Sequence, residues 1–171
     1  MMTLKQIVVL NGLMCAFTWC YGQQTKEVSG IRFTYQVVGE ALKCTLEAPT
    51  NGWVGVGFNH KNAIEGSDLL LFNGINGKFS STDLFVRGPG NPVKDENNGG
   101  ANHIRLENGV ERDAYTRVDF SIPMDSKDRN DFVHKTNTSY WLILAYSVDD
   151  DFNHHSRVRK HIPFSIKASK D

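Results

Sequence analysis

Alternation of apolar and polar positions dominates the chain. Ile31, Phe33, Tyr35 and Val37 alternate with polar residues, and the same period of two resumes after Gly39-Glu40 at Leu42, Cys44 and Leu46. That pattern predicts an antiparallel hairpin. Asn51-Gly52 is a strong turn signal. It leads into Trp53-Val54-Gly55-Val56-Gly57-Phe58, where large residues alternate with glycine, so one face is apolar and the other nearly bare. Glycine on a strand face lets a backbone or a ligand approach closely. Further strands are predicted over 68–72, 78–86, 103–106, 114–122 and 140–146, the last being the most apolar, with Ile162, Phe164 and Ile166 closing the series. Asn76-Gly77 and Asn108-Gly109 read as turns. The stretch 87–101, rich in Gly, Pro and Asn, and the charged stretch 123–137 read as long loops.

About nine to eleven short strands result, with no long helix. Each has one consistently apolar face, so two sheets must pack on each other to bury it. The predicted fold class is all-β: a two-sheet antiparallel β-sandwich of immunoglobulin-like appearance.

Composition narrows the function classes. The chain has 171 residues, 40 % hydrophobic and 22 % charged, and a formal net charge of zero. This suits one folded domain and offers no electrostatic footprint for nucleic acid. The N-terminus differs in kind: Lys5 precedes Ile7-Val8-Val9-Leu10 and Leu13-Met14-Cys15-Ala16-Phe17, and no acidic residue occurs before Glu27. That order predicts a secretory signal peptide over 1–22, cut near Gly22-Gln23. The apolar run is short of the ~20 residues a membrane span needs. A single secreted or extracytoplasmic domain over 23–171 is expected, with no membrane span. It retains Cys44 as its one cysteine, so no disulfide within the chain is available and the thiol is expected to be buried. Asn137-Thr138-Ser139 is an acceptor triplet for N-glycosylation.

No nucleophile elbow, phosphate loop, paired-cysteine motif or helical zinc-protease motif is present, which argues against an enzyme. The candidate chemistry lies in histidines and carboxylates. His60 follows the glycine-rich strand; His154 and His155 follow the acidic triplet Asp149-Asp150-Asp151, whose oxygens suit calcium. A neutral imidazole suits haem iron or zinc.

Gly52-Trp53-Val54-Gly55-Val56-Gly57-Phe58, followed by Glu65-Gly66-Ser67-Asp68-Leu69, strongly resembles a DOMON domain. Asn76-Gly77-Lys78, Tyr115 to Phe120, Trp141 to Tyr146, and His155 with Arg159 resemble later family elements in the same order. The resemblance covers about 29–166. It implies an extracytoplasmic β-sandwich, some members of which bind b-type haem and transfer electrons, while others are non-catalytic modules for which sugar or other small ligands have been proposed. In haem-binding members one axial ligand is a methionine before the Gly-Ser-Asp motif, and the second is a late histidine. His155 matches the histidine, with His154 as the alternative. The methionine has no match, because the loop reads Asn59-His60-Lys61-Asn62-Ala63-Ile64-Glu65-Gly66.

Two readings follow. In one, the chain is a non-enzymatic binding or interaction module taking a sugar, another small molecule or calcium, with Asn59, His60, Asp68 and His155 as polar contacts and Trp53 and Phe58 as apolar ones. In the other, His60 and His155 clamp a haem over the glycine face, and a separate redox partner protein exchanges electrons with it. Both expect the loop after the glycine strand and the late histidine loop to meet over one hollow.

Overall fold

The computed structural model describes residues 22–167. Apart from Gly22, the expected leader lies outside the described residues. Eleven strands follow in order: β1 (Gln24–Val28), β2 (Ile31–Val38), β3 (Ala41–Ala48), β4 (Val54–Asn59), β5 (Asp68–Ile75), β6 (Lys78–Val86), β7 (Pro92–Lys94), β8 (Arg105–Arg112), β9 (Tyr115–Pro123), β10 (Tyr140–Tyr146) and β11 (Val158–Phe164). A single 3-10 turn, Asp95–Asn98, follows β7. The strands form a five-stranded sheet in the order β1-β2-β3-β9-β8 and a six-stranded sheet in the order β11-β10-β4-β5-β6-β7. All strand pairs are antiparallel.

The predicted hairpin is β2–β3, paired Tyr35 to Cys44 and Phe33 to Leu46. Asn51-Gly52 carries the chain from one sheet to the other, since β3 and β4 belong to different sheets. Between the sheets lie the inward residues of both: Phe33, Leu46 and Phe120 from one, Val54, Val56, Phe58, Leu70, Phe72, Leu142 and Leu144 from the other. Phe72 and Phe120 meet across the gap, with ring centroids 4.5 Å apart. Cys44 is a buried free thiol in this layer, and burial pushes its pKa up.

Two sequence expectations change. The loop over 87–101 contains β7 and the 3-10 turn. Asn108-Gly109 is not a turn: it lies inside β8, where the pairing with β9 shifts between Leu106 and Asn108. The chain reverses instead at Asp113 and Ala114, both with left-handed φ (54° and 58°). Gly109 has a packing reason to be glycine, because a Cβ there would lie 2.1 Å from Cγ of Phe79. Phe79 also covers Gly74, whose added Cβ would meet its ring at 2.8 Å.

Gly109→Ala should therefore force the Phe79 ring out of its seat and cost about 1–3 kcal/mol, the usual penalty for overpacking. Thermal unfolding would show a clear fall in Tm. Gly88→Ala, where an added Cβ meets nothing within 4 Å, should leave Tm unchanged. Equal effects of the two would refute the packing account.

Candidate functional site

Strand β4 is the ruler for the expected site. Its register with β10 pairs Val54 with Tyr146 and Asn59 with Trp141. The loop after β10 therefore returns beside the start of β4, and His60 lies beyond its end. The two are a strand length apart, on the order of 17–20 Å at ~3.3 Å per residue. Metal–imidazole bonds are about 2 Å long, so His60 and His155 do not reach one iron. The common hollow expected from the sequence is not formed.

The late loop is occupied with local structure. His154 and His155 are exposed. The Trp53 indole N–H donates to the His154 carbonyl (3.1 Å), and Nδ1 of His154 lies 3.0 Å from the Ser147 hydroxyl. Trp53 is buried on the outer face of the six-stranded sheet with Leu71, Leu84 and Ala145, and Phe152 packs against them. The bare glycine face is filled by the chain itself. A Cβ on Gly55 would meet Leu71 Cδ2 at 2.5 Å and Trp53 Cζ3 at 3.4 Å; one on Gly57 would meet Leu69 Cδ1 at 3.3 Å. The room those glycines provide is taken by leucine and tryptophan, so the residues present do not fit a haem clamped by His60 and His155. The acidic triplet does not converge either: Asp149 Oδ1 accepts from Asp151 N–H, and Asp151 Oδ1 from Asn153 N–H.

The four other expected residues do gather, at the far end of β4, but their roles differ from those expected. Phe58 is a core side chain touching Phe33, Phe132, Tyr140 and His134. Asn59 spends its amide on its own loop, donating to the carbonyls of Ala63 (2.7 Å) and Glu65 (2.8 Å) and accepting from Lys61 N–H (3.1 Å). His60 is exposed and lies on Phe132, ring centroids 4.6 Å apart. Asp68 is buried, and its Oδ2 accepts from Phe132 N–H at 2.9 Å, while Oδ1 has no partner.

Asp68 belongs to a cluster that the sequence did not single out. Register places Asp83 opposite Leu70, on the same inner face two residues along from Asp68. The 3-10 turn brings Asp95, fully buried at 0 % exposure. The loop between β9 and β10 brings Asp128, Asn130, Asp131 and His134, and the segment before β8 brings His103. Asp83 Oδ2 accepts from His103 N–H (3.0 Å), and Asp128 accepts from the N–H groups of Asn130 (2.9 Å) and Ala101 (2.8 Å). His103 Nδ1 stands 2.9 Å from Asp131 Oδ2.

Much of the cluster stays unsatisfied. Asp68 Oδ1, Asp83 Oδ1, Asp131 Oδ1, both carboxylate oxygens of Asp95, Nδ1 of His103 and Nε2 of His134 are buried without a well-directed hydrogen bond. Each such atom costs roughly 1–3 kcal/mol, more when charged. Among the described residues no lysine or arginine forms an ion pair with these aspartates. Burial, then mutual repulsion, pushes the Asp68 carboxyl well up. Burial raises Asp83 to about 7 and Asp95 to about 8, and holds His134 down at about 3. One ligand atom each from Asp83, His103 and Asp131 lie within 4.8 Å of one another. Beside them is a void of about 10 Å³ touching Asp68, Asp83, His103, Asp131 and His134, room on the scale of one water or ion. Carboxyl oxygens converging on such a void are of the kind that binds a divalent cation once their protons are displaced.

Comparison with known proteins matches a DOMON domain over residues 27–147. The chain belongs to the DOMON family. Among curated proteins it is 29 % identical over 112 residues to DBH-like monooxygenase protein 1 of Mus musculus, a match covering 66 % of this chain and 18 % of that protein. It is 31 % identical over 124 residues to putative DBH-like monooxygenase protein 2 of Homo sapiens, covering 70 % and 23 %. The chain thus spans about a fifth of the length of these relatives. Two solved structures share the fold. The cytochrome b domain of pyranose dehydrogenase from Coprinopsis cinerea matches at TM-score 0.59 and 10 % identity, over 85 % of this chain and 81 % of that one. The cytochrome domain of Myriococcum thermophilum cellobiose dehydrogenase matches at 0.60 and 11 %, over 85 % and 82 %. The DOMON domain here is an antiparallel two-sheet β-sandwich.

The raised carboxyls fix the sign of a pH effect. The folded protein holds the Asp83 and Asp95 protons more tightly than the unfolded chain. The stabilisation this brings is complete below about pH 4 and is lost as pH rises through about 7 and 8. His134 acts oppositely: its depressed pKa costs stability as pH falls below about 6.5. In the presence of a chelator the two carboxyls outweigh the one imidazole, so Tm should fall as pH rises from about 4 to about 8. A Tm that climbs across that range would contradict the assignment.

Proposed function

We propose that this chain is a secreted, non-catalytic DOMON module that binds a divalent cation at its acidic end. The unsatisfied, uncompensated aspartates around the small void carry the reading. All donors but the imidazoles are oxygen, which favours calcium, with manganese next. Asp68 and Asp83 would supply ligands from the sheet, Asp95 from the 3-10 turn, and Asp131 and His103 from the loops. The ion would neutralise the carboxylates and pin both long loops to the six-stranded sheet. Secretion rests on the N-terminal pattern. N-glycosylation rests on the triplet at Asn137, which is exposed on a turn with φ 58°; a glycosidase should increase the gel mobility of the secreted protein.

The haem reading has no support from the side chains here, and a redox partner was its corollary. Purification under haem-replete conditions should give protein without a Soret band. A sharp band abolished by His155→Ala would reinstate haem.

Calcium should raise Tm relative to chelator-treated protein; at a hundredfold excess over Kd the gain is about 2.7 kcal/mol. Asp131→Asn should abolish the increment while leaving the metal-free protein folded, because the amide oxygen can still accept from His103 Nδ1. Identical Tm values with chelator, calcium, manganese and zinc would refute the proposal.

A further inference from the structure

The six-stranded sheet ends on one side at β11, which pairs with β10; its other edge carries no strand among the described residues. Register fixes which backbone groups stand on that edge. Ser147 N–H donates to the Trp53 carbonyl at 2.9 Å, so the odd-numbered residues of β10 turn their backbone groups to β4 and the even-numbered ones to β11. Tyr146 pairs with Val158 and Leu144 with Lys160, so in β11 the even-numbered residues face β10 and Arg159, His161 and Pro163 face away. The open edge thus presents the N–H groups of Arg159 and His161 and the carbonyls of Arg159, His161 and Pro163. Pro163 sits where its missing N–H costs the sheet nothing.

The charge on this edge has one sign. Arg157, Arg159 and Lys160 lie close together in the chain, and from Phe152 to Lys170 the sequence holds no acidic residue. Arg159 and Lys160 are exposed, and neither they nor Arg157 form an ion pair among the described residues. Arg159 stands on the outer face of the sheet, opposite Ala145, and Lys160 on the inner, opposite Leu144. Burial, then the Arg159 guanidinium, holds the His161 pKa down, so the permanent charge comes from the arginines and the lysine. The remaining sheet edges differ. β1 mixes Lys26 with Glu27, β8 mixes Arg105 and Arg112 with Glu107 and Glu111, and β7 is only 3 residues long. A second copy is a poor occupant of β11, because antiparallel self-pairing sets the same cations against each other.

We propose that β11 docks an extended acidic segment of a partner protein, which joins the six-stranded sheet as a further strand. The segment's backbone would take up the outward N–H and C=O groups of Arg159 and His161; ladder bonds of this kind supply affinity. Its carboxylates, on alternate sides of the strand, would face Arg159 on the outer side and Lys160 on the inner. An anionic membrane fits less well, because none of the exposed large apolar side chains belongs to β11. A sulfated polysaccharide would use the charges and leave the ladder groups unpaired. No β11 residue lines the void at the acidic centre, so the two proposals stand or fall separately.

The probe is the peptide acetyl-Thr-Glu-Val-Glu-Val-Glu-Thr-amide, titrated into the whole chain at low salt, with the amide shifts of Arg159 and His161 as readout. It should bind about tenfold tighter than its glutamine counterpart, the worth of two or three cross-strand ion pairs, and should protect both amides from hydrogen exchange. The same acidic peptide N-methylated throughout keeps its charge, cannot form the ladder, and should not bind. Combining Arg159→Glu with Lys160→Glu should transfer the preference to a lysine counterpart, whereas Lys26→Glu on edge strand β1 should leave it with the acidic peptide. Equal binding of the acidic and glutamine peptides, undiminished binding after N-methylation, or a double variant that still prefers acid would overturn the proposal. So would shifts at Arg159 and His161 that arise only with a heparin fragment, with phosphatidylserine vesicles, or with rising concentration of the protein itself.

Discussion

Strand β4 is buried on both faces, and the rest of the molecule answers to that constraint. Val54, Val56 and Phe58 close the core against the second sheet. On the other side Gly55 and Gly57 make room for Leu71, Trp53 and Leu69. A sheet with two apolar faces needs covering twice. The five-stranded sheet covers the inner one; the loop bearing Phe152 covers part of the outer one and leaves a groove beside it. The same strand keeps apart the two ends at which polar chemistry collects: the converging aspartates beyond Asn59, and the histidines and acidic triplet before Val54.

The two ends handle negative charge differently. Beyond Asn59 the carboxylates turn inward, lose water and raise each other's proton affinity. Before Val54 they turn toward solvent, and their backbone contacts close a tight loop. Net neutrality of the whole chain hides both, because the compensating lysines and arginines lie elsewhere.

The sandwich was legible in the sequence because strands announce themselves locally: alternation at 31–37 and 42–46 suffices to place β2 and β3. The DOMON resemblance was legible because its glycine–tryptophan strand is a local string. The acidic centre was not. Asp68, Asp83, Asp95 and Asp131 are dispersed along the chain, and only register and loop return bring them together. The signal available was weak: aspartate at inward positions of apolar strands, as in Asp83 between Thr82 and Leu84. Histidines misled for the same reason. His60 and His155 follow the expected segments, but the antiparallel pairing of β4 with β10 sends them in opposite directions. His134, which does line the void, lies in a stretch whose charge suggested only a loop. Asn108-Gly109 misled because glycine was needed for room under Phe79, and its local string cannot tell that need from a turn.

The loop that carries Asp131 and His134 is fastened at its far side to the chain beyond β11. Thr136 bridges Ile166 in parallel, and Asn137 N–H donates to the Ile166 carbonyl at 2.7 Å. Ile166 itself is buried in the core. Tension applied past this residue therefore reaches its bridge to Thr136 and Asn137 before it reaches edge strand β11.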